Sequence, residues 1–255
     1  MSDVSTFRRS LQIAVLAAGV IGLHGAANAA SAKNVILVHG AWADGSSWSK
    51  VIPLLNAKNL HVTAVELPLT SLADDAATVK RAIALEDGPV VLVGHSYGGA
   101  VITEAGNDPK VSALVYVAAF APDAGQSAGA LNASGTPAPM ATEAKPDAEG
   151  FLKLTKIGVY DDFAQDLTAT EKAVLYATNA PTNVKALGGT ITKAAWHDKP
   201  SWYVVAANDR AIQPSLEAAM AKTIHATTTT VKSSHVAMLA KPAEVARVIE
   251  RAAAH

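Results

Sequence analysis

Residues 89–95, Pro-Val-Val-Leu-Val-Gly-His, are β-formers without polar alternation. They pass with no polar loop into Ser96-Tyr97-Gly98-Gly99-Ala100 and a helical pattern. A strand that is apolar on both sides must be covered on both faces, which confines the chain to a buried, mainly parallel sheet. Runs of the same kind recur at 34–39, 61–67, 111–120, 201–208 and 227–234. Helical spacing fills stretches near 47–58, 73–86, 98–107, 214–224 and 242–254. Pro214 and Pro242 stand where the first turn of a helix tolerates proline. The succession is βαβ, and it predicts a mostly parallel, doubly wound three-layer α/β sandwich.

The rhythm breaks once. Between Phe120 and Ser201 about eighty residues hold no convincing strand: a Gly/Pro/Ala/Ser-rich stretch over 121–150 is followed by helical patterns such as "EGFLKLTKI" and "TATEKAVLYATN". An interval this long inside a compact domain is read as a functional insertion, here a helical cap over about 121–198 at the C-terminal edge of the sheet. Residues 31–255 then form a single domain, and with half of the 255 residues apolar the chain has material for one sizeable core. A formal net charge of −1 argues against nucleic acid or an anionic membrane surface as the main partner. The absence of cysteine excludes disulfides, thiolate chemistry and zinc–thiolate sites.

Residues 1–30 have a different character. Arg8 and Arg9 precede an apolar stretch from Leu11 to Leu23, and Ala27-Asn28-Ala29 fits a small-x-small cleavage site, with Ala30-Ser31-Ala32 a second candidate. The apolar part is too short and too rich in Ala and Gly for a membrane span, so the segment reads as a cleavable export signal, by the twin-arginine or the general route. A periplasmic or secreted protein with no stable membrane anchor is expected.

Gly94-His95-Ser96-Tyr97-Gly98 matches G-x-S-x-G with a strand before it and a helix after it, the context in which a serine is presented on a sharp strand-to-helix turn. A serine hydroxyl needs a base, and the base needs an orienting acid. His235 follows the last strand candidate and Asp209 follows the one before it, so both fall at the sheet edge where the Ser96 turn opens. The other seven histidines lie in the leader, in backbone motifs, or away from a strand's C-terminal end. Asp123, after "VYVAAF", is a rival acid. Two backbone N–H groups must hold an oxyanion; the candidates are Tyr97, after the nucleophile, and Ala41, in the loop "VHGAWADGSSW".

"VILVHGAWADGSSWSKVIPLL", "VVLVGHSYGG", "VYVAAFAPD" and "SSHVAMLAKPAEVARVI" together resemble the α/β-hydrolase superfamily over nearly all of residues 31–255. More narrowly they resemble the branch with plant methylesterases, hydroxynitrile lyases and small bacterial esterase-like proteins. The resemblance implies Ser96, Asp209 and His235 as a catalytic triad, Ala41 and Tyr97 as the oxyanion hole, and no metal or organic cofactor. Val236 stands where the lyases carry lysine, and His95 where they tend to carry an acidic residue, so lyase chemistry is not expected. Ser96 excludes the dehalogenases and epoxide hydrolases of the fold, which need an aspartate nucleophile. The expected activity is hydrolysis of small to medium carboxylic esters. An amidase or lactonase, a cofactor-free perhydrolase, and a non-catalytic small-ligand binder are the alternatives. Trp196, Phe151, Phe163 and Leu167 in the cap, with Leu152 and Tyr160, are candidates to line a substrate pocket. Oligomeric state is left open.

Overall fold

The computed structural model describes Met1 and residues 32–255. The expected export signal therefore lies, but for Met1, outside the described residues. In chain order the strands are β1 (Asn34–Val38), β2 (His61–Val65), β3 (Val90–His95), β4 (Val111–Val117), β5 (Ala144–Pro146), β6 (Phe151–Leu154), β7 (Thr182–Asn183), β8 (Ser201–Ala206) and β9 (Thr227–Val231). The helices are α1 (Ile52–Asn56), α2 (Leu72–Leu85), α3 (Gly98–Ala105), α4 (Ala128–Ala133), α5 (Ala169–Ala177), α6 (Val184–Gly188), α7 (Pro214–Thr223), α8 (Ala237–Ala240) and α9 (Pro242–Ala253).

Six strands form one sheet in the order β2-β1-β3-β4-β8-β9, with every pair parallel. Burial explains the continuous apolar runs. The strands β1, β3 and β8 are buried at every residue, whereas the edge strands β2 and β9 keep exposed positions. Alternate residues serve opposite faces, as the twofold period of a strand requires. Ile36, Leu92 and Tyr203 pack with Val79 of α2, Ile102 of α3 and Met220 of α7. Val35, Val93 and Val204 pack with Leu55 of α1 and Val245, Val248 and Ile249 of α9. In α9 the buried residues recur at helical spacing, so one stripe of the helix supplies the cover.

Strand order reverses between β1 and β3, so the loops leaving those two neighbours part to opposite faces and open a crevice at their C-terminal ends. The long interval after β4 forms the expected insertion, and α5 is among its helices. It differs from a purely helical cap in holding a three-stranded antiparallel sheet, β5-β6-β7. Phe151–Leu154 is a strand and not part of a helix. An apolar run this short does not distinguish the two by period, and while β5 is near in sequence, the partner on its other side, Thr182–Asn183, is not. The insertion is tied to the domain near the crevice: Trp42 donates its amide to Thr182 Oγ1 (3.1 Å) and its indole N–H to the Leu152 carbonyl (3.0 Å).

Candidate active site

Strand β3 ends at His95 and α3 begins at Gly98, which leaves two residues for a reversal of direction. Ser96 makes it by taking φ +53°, a left-handed conformation that a residue with a Cβ adopts at a cost. The surroundings enforce it: Ser96 N–H donates to Val117 (3.2 Å), and its carbonyl accepts from Gly99 (3.0 Å) and Phe120 (3.1 Å). The flanking glycines answer a steric demand, since a Cβ on Gly94 would lie 2.5 Å from the Gly98 carbonyl oxygen. The neighbouring loop comes equally close, and a Cβ on Gly40 would lie 2.6 Å from that of Ser96.

Asp209 and His235 follow β8 and β9, two adjacent parallel strands, and so meet at the same sheet edge. His235 Nδ1–H donates to Asp209 Oδ2 at 2.5 Å. Asp209 Oδ1 accepts the amides of Ala211 (2.6 Å) and Ile212 (2.9 Å), which fix the carboxylate from behind. Both side chains are buried. The bond to Asp209 sets the tautomer and leaves Nε2 as the basic nitrogen of His235. The imidazole packs against the rings of His95 (4.7 Å between centroids) and Phe163 (5.1 Å), which also meet each other edge-on (6.3 Å). His95 Nε2–H donates to the His235 carbonyl at 3.0 Å, so the residue before Ser96 holds the backbone of the histidine loop. Burial, with the neighbouring His235 next in size, pushes His95 well below the usual imidazole range and keeps it neutral for that role. Ser96 makes no side-chain hydrogen bond to His235 among the described residues.

Ser96, Ala41 and Tyr97 line one cavity of about 70 Å³, with Phe120, Met140 and Leu187 among its apolar walls. Neither the Ala41 nor the Tyr97 amide has a partner among the described residues, whereas the next amide, Trp42, is taken by Thr182. Tyr97 is anchored by its hydroxyl, which donates to Asp75 Oδ2 at 2.7 Å, and Asp75 Oδ1 accepts the Leu69 amide at 2.8 Å. Two unpartnered N–H groups beside a serine hydroxyl form a ready receptor for a developing oxyanion. Among the described residues no group of three or more His, Asp or Glu side chains is placed to hold a metal ion. No helix among them is long and apolar enough to cross a membrane.

A model described as "Alpha/beta hydrolase family" matches residues 35–248. The chain belongs to the alpha/beta hydrolase family. Among curated proteins, this alpha/beta hydrolase is similar to the carbendazim hydrolyzing esterase of Nocardioides sp. (strain SG-4G). The two are 34% identical over 114 residues, 38% of this chain and 46% of that protein. It is similar also to polyneuridine aldehyde esterase of Rauvolfia serpentina, 34% identical over 116 residues, 40% of this chain and 44% of that protein. The matched stretch spans under half the length of these relatives. The fold is shared with a pyrethroid hydrolase from Sphingobium faniae JZ-2 (TM-score 0.74, 22% identity, 87% of this chain and 97% of that one). It is shared too with tomato methylketone synthase I (TM-score 0.75, 18% identity, 86% and 96%).

In this alpha/beta hydrolase the rival acid Asp123 is exposed at the surface and accepts from His197 Nε2 at 2.9 Å, which keeps its carboxyl low and leaves it no part in the His235 pair. The four cap residues expected to line the pocket lie elsewhere. Trp196 is turned to the Pro122 carbonyl (3.0 Å) and stacks on His197. Phe151 sits in β6 opposite Asn183, Phe163 covers the His235 ring, and Leu167 packs against the α9 side of the core. The walls are formed instead by Phe120, which directly follows the β4 run, and by Met140 and Leu187. Met140 stands alone among Pro and Ala, and Leu187 shares its stretch with Val184 and Ile191, so local sequence marks neither as a wall residue.

Proposed function

We propose that this hydrolase cleaves small, uncharged carboxylic esters through an acyl-enzyme on Ser96, with His235 as base and Asp209 as its orienting acid. The observation that carries the reading is the buried 2.5 Å bond from His235 to Asp209 at the edge where strained Ser96 and two unpartnered amides open on one cavity. His235 Nε2 takes the Ser96 proton as Oγ attacks the carbonyl, and the amides of Ala41 and Tyr97 receive the oxyanion. The alcohol leaves with that proton; water then gives a proton to His235 as it attacks the acyl carbon, and the acid is released as His235 returns that proton to Ser96 Oγ. Asp209 holds the imidazole in one tautomer and stabilises its charged form. The Ser96–His235 contact tightens on substrate binding, as such contacts do when the unliganded geometry is open.

The names of the relatives support ester chemistry, and the cavity of about 70 Å³ with mainly apolar walls supports a small group at the reacting end. Hydrolysis of p-nitrophenyl esters of increasing acyl length tests the reading. Short acyl chains are expected to be preferred, and Ser96→Ala is expected to lower kcat by about 10⁴-fold or more with the fold intact. Undiminished turnover in that variant overturns the scheme. We further propose that residues 1–30 direct export and are removed, on the strength of Arg8-Arg9, the apolar stretch from Leu11 to Leu23, and Ala27-Asn28-Ala29.

A further inference from the structure

We infer that Glu217 is a positioning residue that holds Asp209 by donating a carboxylic-acid proton to it. The inference rests on the reading of Asp209 as the acid behind His235. Glu217 lies in the first turn of α7 and is 0% exposed. Its Oε2 accepts the Ala206 amide at 3.0 Å, at the end of β8, three residues before Asp209. Its Oε1 is buried and faces no donor among the described residues. Asp209 N–H donates to the Ala206 carbonyl (3.1 Å), so the turn that carries Asp209 folds back on the residue whose amide Glu217 holds, and the two carboxyls lie side by side. No lysine, arginine or histidine pairs with Glu217 among the described residues, and Arg210, the nearest cation in sequence to Asp209, is turned to Asp162 at 2.7 Å.

Two carboxyls in contact, out of water and with no cation on Glu217, cannot both ionise at neutral pH, and one proton stays between them. The count of hydrogen bonds decides where it rests. Asp209 accepts three N–H bonds, from Ala211, Ile212 and His235, and these stabilise its anion. Glu217 accepts one, from Ala206. The proton therefore belongs to Glu217, whose otherwise partnerless Oε1 becomes the donor. Burial, and after it the charge of Asp209, push the Glu217 carboxyl well above the usual carboxylate range, in agreement. The other ionisable group facing it is Tyr203 of β8, whose hydroxyl is spent on the Ala119 carbonyl. Asp209 thus gains a fourth hydrogen bond with no second negative charge behind His235.

The test compares wild type with Glu217→Gln and Glu217→Leu. Glutamine keeps an N–H donor for Asp209 and an acceptor for Ala206 but cannot ionise. A carboxyl whose folded pKa is raised contributes stability that is present below its unfolded value, near 4.3, and is lost as pH rises toward the folded value. Thermal unfolding should therefore give matching Tm values for wild type and Glu217→Gln at pH 4, with the variant higher at pH 8 by about 2–4 °C or more. A Tm difference independent of pH overturns the assignment, because it means Glu217 ionises alike in both states. This readout needs no turnover, so it separates failure of the inference from failure of the esterase reading. On an accepted ester, Glu217→Leu should lower kcat about 10- to 100-fold at similar KM, as for other residues that orient a reacting group, and Glu217→Gln should restore most of it. The acid limb of kcat against pH should stay in place in Glu217→Gln. A downward shift of that limb would mean that a negative charge had been removed, and would equally overturn the proposal.

Discussion

Ser96 is held in a conformation it would not choose, and the residues that hold it have almost no tolerance for added atoms. Gly40 is the sharpest case, because its neighbour is the Cβ of Ser96 itself and not the end of a flexible side chain. Gly40→Ala must move either the Ala41 loop or the Ser96 turn, and both movements damage the same site. The expected result is a loss of about 1–3 kcal/mol in chemical unfolding, as for other overpacked positions, and a larger proportional loss of kcat than of stability. A variant with full kcat would show that the loop and the turn are not rigidly coupled. At the same scale His95 is neutral, singly protonated at Nε2 and spent on the His235 carbonyl. It shapes the site through backbone position.

The elements of the insertion act as a brace for the two loops that carry Asp209 and His235. The helical turn Gly158–Phe163 and the stretch that follows it grip both of them. Asp162 accepts from Arg210 (2.7 Å), Gln165 donates to the Asn208 carbonyl (2.6 Å), and Asp166 accepts the Ser234 amide (2.7 Å) beside His235. The far end of the same stretch is fastened by the capping box of α5, where Thr168 and Glu171 satisfy one another's amides, and Glu171 reaches Lys50 at 2.5 Å. Asp166→Ala leaves the Ser234 amide, in a residue with no exposed surface, without its acceptor. An orphaned buried amide costs about 1–3 kcal/mol. The variant should unfold earlier in denaturant and should lose kcat through a looser His235 loop with KM little changed. If kcat is unaffected while stability falls, the brace serves the fold alone.

At the scale of the whole molecule, the site is assembled by topology. Parallel strands deliver Ala41, Ser96, Asp209 and His235 to one edge, though they are separated by up to 194 positions in the chain. The proposed export of the chain belongs to this scale as well. Expression of the full chain in a bacterial host should yield periplasmic protein whose first residue, by N-terminal sequencing, is Ala30 or lies within a few positions of it. An intact N-terminus confined to the cytoplasm would refute export. Much of the architecture was legible in the amino-acid sequence, because continuous apolar runs, helical spacing and a serine turn between strand and helix are local patterns. They state the period, the turn and the number of buried faces of each segment, and hence the succession along the chain of β1, β2, β3, β4, β8 and β9 and the edge on which the candidate residues fall. Pairing and burial between distant segments are not local. Only the tertiary structure decided that Phe151–Leu154 pairs as a strand, that Met140 and Leu187 and not Trp196 wall the cavity, that Asp123 is engaged by His197, and that Glu217 lies against Asp209. Each of these is a contact across tens of residues or between neighbouring elements, set by which surfaces exclude water together, and a reading of periods and turns carries no record of it.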